Sequence, residues 1–303
     1  MINEILRNLP PKIAKEIENI GSRDSINEIR LRVGKKGVVI TSGVEVQIES
    51  YVMLQDLLDI LIKISKNSIY AIQNDINNGF VVIPGGHRIG ICGEVVICDD
   101  KIKNIKNISS MNIRVARQLI GCADKILPYI IEDGQFTNTL IVSPPGCGKT
   151  TMLRDTIRQL SNGIPYLQFS GKNIGLVDER GEIACVCNGI TNLDVGIRTD
   201  IISNCSKSIG MEMLVRSMGI SIIATDEIGS YNDIDAIRYA SCSGVGLIFT
   251  MHGRNYEDIS KKQGIKELID DNIFSNIIFL SNKNGPGTIE KIHKITNKKL
   301  EVS

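Results

Sequence analysis

Residues 140–151 read LIVSPPGCGKTT and are followed by MLRDTIRQL, an apolar run, a glycine-containing turn and a helical pattern in that order. This is the order in which a protein builds a cradle for phosphate. Gly146 and Gly148 let the backbone turn its N–H groups inward around anionic oxygens. The helix that begins near Lys149 adds the partial positive charge of its N-terminus. Lys149 supplies a point charge for β and γ phosphates, and the Thr150 hydroxyl is a hard oxygen ligand for Mg²⁺. The loop expected to surround a nucleotide is therefore Ser143, Pro144, Pro145, Gly146, Cys147, Gly148, Lys149, Thr150 and Thr151. Ser143 stands where the G-x-x-x-x-G-K-[ST] pattern has its first glycine, which an ordinary φ permits.

A second run answers the first. Ile220–Thr225 is apolar and ends in Asp226-Glu227. An acid at a strand's C-terminal edge beside such a loop holds Mg²⁺, directly or through water, and Asp226 is placed for that. Glu227 is placed to orient or deprotonate an attacking water. Two more strand ends point the same way, Asp178-Glu179-Arg180 and Met251-His252-Gly253. In a doubly wound sheet the carboxyl ends of the strands converge on the ligand crevice. Glu179 there supports metal or water, and His252 senses or orients the γ-phosphate side. No Asn-Lys-x-Asp run of the guanine-reading kind follows, so ATP is the expected nucleotide.

The elements that must carry these residues fall into two styles. From Asn138 onward, short apolar runs (139–142, 174–177, 220–224, 245–250, 276–280) alternate with helical segments (150–160, 207–218, 233–241, 256–262). That alternation predicts an α/β domain with a parallel sheet. The preceding half predicts a smaller α+β unit. It has a helix interrupted at Pro10-Pro11, strands at 28–33, 38–41 and 44–48, and helices at 54–62 and 68–77. Further strands follow at 80–83, 87–92, 95–98 and 108–116, with a Lys-rich turn region at 99–107. A helix around 123–131 opens the second half, and the division is placed at residues 1–122 and 123–303.

Composition narrows the partners. Among 303 residues, Lys plus Arg number 35 against 34 Asp plus Glu, so the formal charge is +1. A surface built for non-specific nucleic-acid binding would be far more basic. Aromatic residues are 4% with no Trp, a poor supply of base-stacking platforms. No uncharged stretch approaches the roughly 20 apolar residues of a membrane span, and the N-terminus lacks a signal-peptide core. Eight scattered cysteines fit reduced thiols of a cytoplasmic protein. Cys147, beside Lys149 and a helix N-terminus, is either a redox-sensitive thiol or a small loop filler.

The order of Walker A loop, LVDERGEI, VRSMGISIIATDEIGS and GVGLIFTMHGRN is similar to that of type II and type IV secretion ATPases and pilus retraction motors. More closely, EIRLRVGK, GFVVIPGGHRIGICGEVV, NIRVAR, SPPGCGKTTMLRD, DVGIRTD and ATDEIGS resemble the stage III sporulation AA family of endospore formers. The resemblance implies a RecA-like P-loop NTPase core with a smaller N-terminal α+β domain, using ATP and Mg²⁺. It implies a homo-oligomer, a hexameric ring, working with membrane proteins of the stage III channel apparatus. Its place would be cytoplasmic and peripheral, at the face of the mother-cell membrane around the forespore. By the same resemblance Asp178 and Glu179 fall in an acidic box, Asp226 and Glu227 in Walker B and His252 in a His box. Arginines of the N-terminal domain or a neighbouring subunit would complete the site. Arg114 and Arg117 come first, and Arg88 and Arg198 are further candidates. The other reading of the same core is a RecA-like nucleic-acid-handling ATPase, and a third is a scaffold that binds ATP without turnover.

Overall fold

Prolines at positions 10 and 11 split the first amphipathic stretch into α1 (Ile2–Asn8) and α2 (Pro11–Glu18), since Pro11 is tolerated only at the start of a new helix. The computed structural model describes residues 2–20, 25–98, 100–187, 189–296 and 299–302. The chain divides into two units, Met1–Arg117 with Cys187–Asn192, and Gln118–Val186 with Leu193–Ser303.

The first unit is a six-stranded antiparallel sheet with helices on one face. Its strands are β1 (Ile26–Arg32), β2 (Lys36–Thr41), β3 (Val44–Tyr51), β4 (Phe80–Ile83), β5 (His87–Cys98) and β6 (Lys101–Arg114), in the order β3-β2-β1-β6-β5-β4. Helices α1, α2 and α3 (Leu54–Ile64) send Ile5, Ile13, Ile17, Leu57 and Ile60 onto Ile29, Leu31, Ile89 and Ile113. Two expectations are corrected here. Residues 68–77 form a short 3₁₀ turn, Ile69–Ile72, and then α4 (Gln73–Asn77) rather than one helix. The Lys-rich stretch expected as a turn pairs in β6 instead, with Lys101 opposite Cys98 and Lys106 opposite Glu94. Residues 102–107 are largely solvated, so this side of the hairpin lacks the apolar alternation that marks a strand.

The second unit opens with turns, α5 (Leu127–Ile130) and the small hairpin of β7 (Ile131–Glu132) and β8 (Gln135–Phe136), so the expected helix at 123–131 is short. Then come β9 (Thr139–Ser143), α6 (Lys149–Asn162) and β10 (Ile174–Asp178). The small pair β11 (Val186–Cys187) and β12 (Ile190–Thr191), most of which belongs to the first unit, precedes β13 (Thr199–Ser203), α7 (Lys207–Ser217), β14 (Ile222–Thr225), α8 (Tyr231–Cys242) and β15 (Gly246–His252). Helices α9 (Tyr256–Ser260) and α10 (Gln263–Asp270) lead to β16 (Asn276–Ser281), β17 (Thr288–Thr296) and β18 (Lys299–Val302). The sheet order is β13-β10-β14-β15-β9-β16-β17-β18. The first six are parallel and the last two antiparallel. β13 and α10 are elements that local patterning did not announce.

All five residues of β9 are buried, because helices cover both faces of the sheet. Ile141 joins Leu153, Ile157 and Leu160 of α6 in one core. Leu140 and Val142 join Met211, Ile237, Ile259 and Leu268 of α7 to α10 in the other.

Candidate active site

The loop between β9 and α6 needs two glycines for a conformational reason. Gly146 has φ 74° and Gly148 φ 82°, both left-handed. A Cβ on Gly148 would also stand 3.2 Å from the Gly287 nitrogen. The far side of the loop is held by the β16–β17 turn, where the Gly287 N–H donates to the Cys147 carbonyl at 2.8 Å and Lys125 Nζ donates to the Gly287 carbonyl. Holding loop carbonyls outward leaves N–H groups for an anion. Ser143, at the first-glycine position, ends β9 and donates its hydroxyl to the Pro144 carbonyl at 2.8 Å.

Lys149 is only 6% exposed. Its ammonium donates to the carbonyls of Ser143 (3.2 Å) and Pro144 (3.3 Å) and to His252 Nδ1 (3.0 Å). Burial pulls its pKa below the ordinary lysine value, against the opposing pull of Asp226 and Glu227. An ammonium can only donate, so His252 accepts at Nδ1 and carries its proton on Nε2. Nε2 then donates to Glu227 Oε1 at 2.8 Å. The register of β15 on β9, with His252 opposite Ser143, makes this crossing possible. Glu227's other oxygen, Oε2, pairs with Arg180 Nη1 at 2.7 Å. Glu227 itself has φ 55°, a left-handed conformation that costs a residue with a side chain about 1–3 kcal/mol.

Thr150 Oγ1 donates to Asp226 Oδ2 at 2.5 Å. A hydroxyl and a carboxylate oxygen side by side fit Mg²⁺, an ion that takes one or two protein oxygens and completes its shell with phosphate and water. No group of three or more His, Cys, Asp or Glu side chains suited to a metal occurs among the described residues.

The remaining expected residues are distributed as follows. Glu179 pairs with Lys207 and, with Asp226 and Glu227, lines a narrow cleft of about 20 Å³. Asp178 is 2% exposed, and its carboxylate accepts the N–H groups of Glu182, Ile183 and Ala184, which folds the following loop. Cys147 is 3% exposed, with its Sγ 3.7 Å from the Pro145 carbonyl, and Thr151 is in the first turn of α6. Arg198 Nη1 donates to the Ser161 carbonyl at the end of α6. In the first unit, Arg117 donates to the Ile26 carbonyl at 2.7 Å. Arg114 and Arg88 stand opposite each other on β6 and β5 and, with Arg30 and Arg32, line a cavity of about 400 Å³. Arg88 lies over the Phe80 ring at 3.6 Å. Local patterning gave no warning of Thr250 and placed Arg180 at a strand end without a role. Thr250 is a lone hydroxyl in an apolar run, and Arg180 is an exposed residue after a strand.

Residues 2–300 match the family model described as sporulation stage III, protein AA. The chain belongs to that family. It is 36% identical to the stage III sporulation protein AA of Bacillus subtilis over 294 residues, covering 96% of this chain and 95% of the relative. Among solved structures, the pilus retraction motor PilT with bound ADP superposes with a TM-score of 0.61 at 14% identity, covering 88% of this chain and 76% of PilT. The Legionella pneumophila ATPase DotB gives 0.55 at 12% identity, covering 96% and 79%. At such identities the likeness is one of fold, and this member of the stage III AA family has the RecA-like P-loop fold of secretion ATPases. Among the described residues no cysteine is joined in a disulfide. Burial pushes the Cys185 thiol up to about 12 and the Cys122 thiol to about 11, as suits inert reduced thiols.

Proposed function

We propose that this chain is a Mg²⁺-dependent ATPase whose turnover assembles or powers a secretion-like channel between mother cell and forespore. It acts as a homo-oligomeric, hexameric ring at the cytoplasmic face of the mother-cell membrane and docks on membrane proteins of the stage III apparatus. The reading rests above all on the hydrogen-bonded path from Lys149 through His252 to Glu227. It joins a phosphate-binding lysine to the acid on a neighbouring strand, an arrangement with no structural purpose that a plain ion pair would not serve.

In this reading the triphosphate draws Lys149 out of its place among the Ser143 and Pro144 carbonyls. His252 is then released from Lys149. Thr150 and Asp226 would hold Mg²⁺, which supplies charge neutralisation at the phosphates. Glu227, freed from part of its present pairing, accepts the proton of the attacking water. The water oxygen bonds to phosphorus as the bond to the ADP oxygen breaks, giving ADP and inorganic phosphate. Glu179 stands by through Lys207. Arg114, with Arg88, or else Arg117, serves a nucleotide as the arginine that offsets charge in the transition state, worth about 10³–10⁵-fold where such groups act.

Glu227→Gln tests the reading. Calorimetry should find ATP binding retained, while phosphate release falls by about 10²–10⁴-fold, the usual range for general-base help. Unchanged phosphate release in the variant, or no ATP binding by the native chain, would overturn it.

A further inference from the structure

Thr250 is fully buried on β15, inside a run of apolar neighbours. We infer that it is the positioning residue that holds the metal-side acid and the water-side acid in register, an inference that rests on the ATPase reading above. β14 ends at Thr225, whose partner in the β14–β15 ladder is Phe249. Residues 226 to 228 have therefore left the ladder, and Thr250 takes hold of all three. Its hydroxyl hydrogen is donated to Asp226 Oδ1, and its oxygen accepts the Glu227 N–H at 2.9 Å. Its carbonyl accepts the Ile228 N–H at 2.9 Å.

Each contact has a separate consequence. Fixing Oδ1 sets the rotamer of Asp226, so that Oδ2 is the oxygen presented to Thr150. Fixing the Glu227 N–H holds the peptide on which its left-handed φ of 55° depends. That φ decides whether the Glu227 side chain reaches His252 and Arg180 at all. One hydroxyl thus serves as donor to one acid and acceptor for the next, a pairing open to Thr or Ser but closed to an apolar residue. Val has the same shape and the same preference for strands. A Thr present only to fill its place in β15 would be replaced by Val without functional loss.

The test compares Thr250→Val with Thr250→Ser in the full chain. ADP affinity is measured by calorimetry in EDTA and again with Mg²⁺, and ATP turnover is measured alongside. Thr250→Val should bind ADP in EDTA as the native chain does. Its Mg²⁺-dependent gain in affinity, and its kcat, should fall about 10–100-fold, the range seen when groups behind a metal ligand are removed. Thr250→Ser should keep both. A native Mg²⁺ gain in Thr250→Val, or an equal loss in Thr250→Ser, overturns the assignment. If Thr250→Val does not fold, Thr250→Cys takes its place and should show an intermediate loss, a native value again overturning the assignment. A native chain without ATP turnover is a failure of the ATPase reading instead, and the Mg²⁺-gain comparison with ADP still decides the role of Thr250.

Discussion

His252 and His293 show how differently one residue type is used. His252 is partly exposed and threaded between Lys149 and Glu227. His293 is 4% exposed, stacked on Tyr256 with ring centroids 5.4 Å apart and set edge-on to Phe279 at 5.3 Å. Its Nδ1 has no hydrogen-bond partner among the described residues. Burial, helped by Lys291, holds its pKa below the ordinary 6.5. The unfolded chain then takes up this proton more readily than the folded one. The neutral ring's full contribution to stability is present above pH 6.5 and is lost as pH falls from there through the folded-state value. The melting temperature should drop between pH 7.5 and pH 5, and less steeply in His293→Phe. Equal slopes for the two proteins in a pH series of thermal melts would refute this. At this scale the phosphate loop was legible because phosphate demands particular residues at fixed spacing. Thr250 was not, because a threonine within a strand has an ordinary explanation in strand preference.

Helix α7 lies against β10 at a distance set by a missing side chain. A Cβ on Gly210 would come within 2.6 Å of Val177 Cγ1 and 3.1 Å of Cys205 Sγ. Val177 is fully buried and β-branched, so it has little freedom to turn aside. Gly210→Ala should therefore destabilise the protein by about 1–3 kcal/mol through overpacking, although Ala is the better helix former by about 1 kcal/mol. Chemical denaturation measures the difference, and a stabilised variant would show that α7 moves away without penalty. Elements with both faces covered, such as β9 and β10, were legible as apolar runs bounded by turn residues. β13 and the 101–107 part of β6 were not, since neither is strongly buried and their pairing is decided by other strands. The segment 187–192 is a stronger case. It joins the first unit through the Cys187 Sγ contact with the Val82 carbonyl and the Gly85 N–H bond to Asn192 Oδ1, across more than 100 residues of sequence.

For the molecule as a whole, a formal charge of +1 conceals an uneven distribution, because four arginines line one cavity in the first unit. Four guanidinium groups around one cavity suit an anion, and the proposed ring offers one in each nucleotide. If Arg114 serves the nucleotide of a neighbouring subunit, a site needs Glu227 from one chain and Arg114 from the next. Arg114→Ala and Glu227→Gln should each be nearly inactive alone. Mixed in equal amounts and allowed to exchange subunits, they should regain about a quarter of native turnover, because a quarter of randomly formed pairs unite an intact Glu227 with an intact Arg114. If Arg114 serves its own chain's nucleotide, each subunit carries one defect and mixing restores nothing. Light scattering on the same samples, with ATP and Mg²⁺, should give about six times the subunit mass in both variants. Recovered turnover in a particle of subunit mass would refute the ring, and absence of recovery in an intact ring would confine Arg114 to its own subunit.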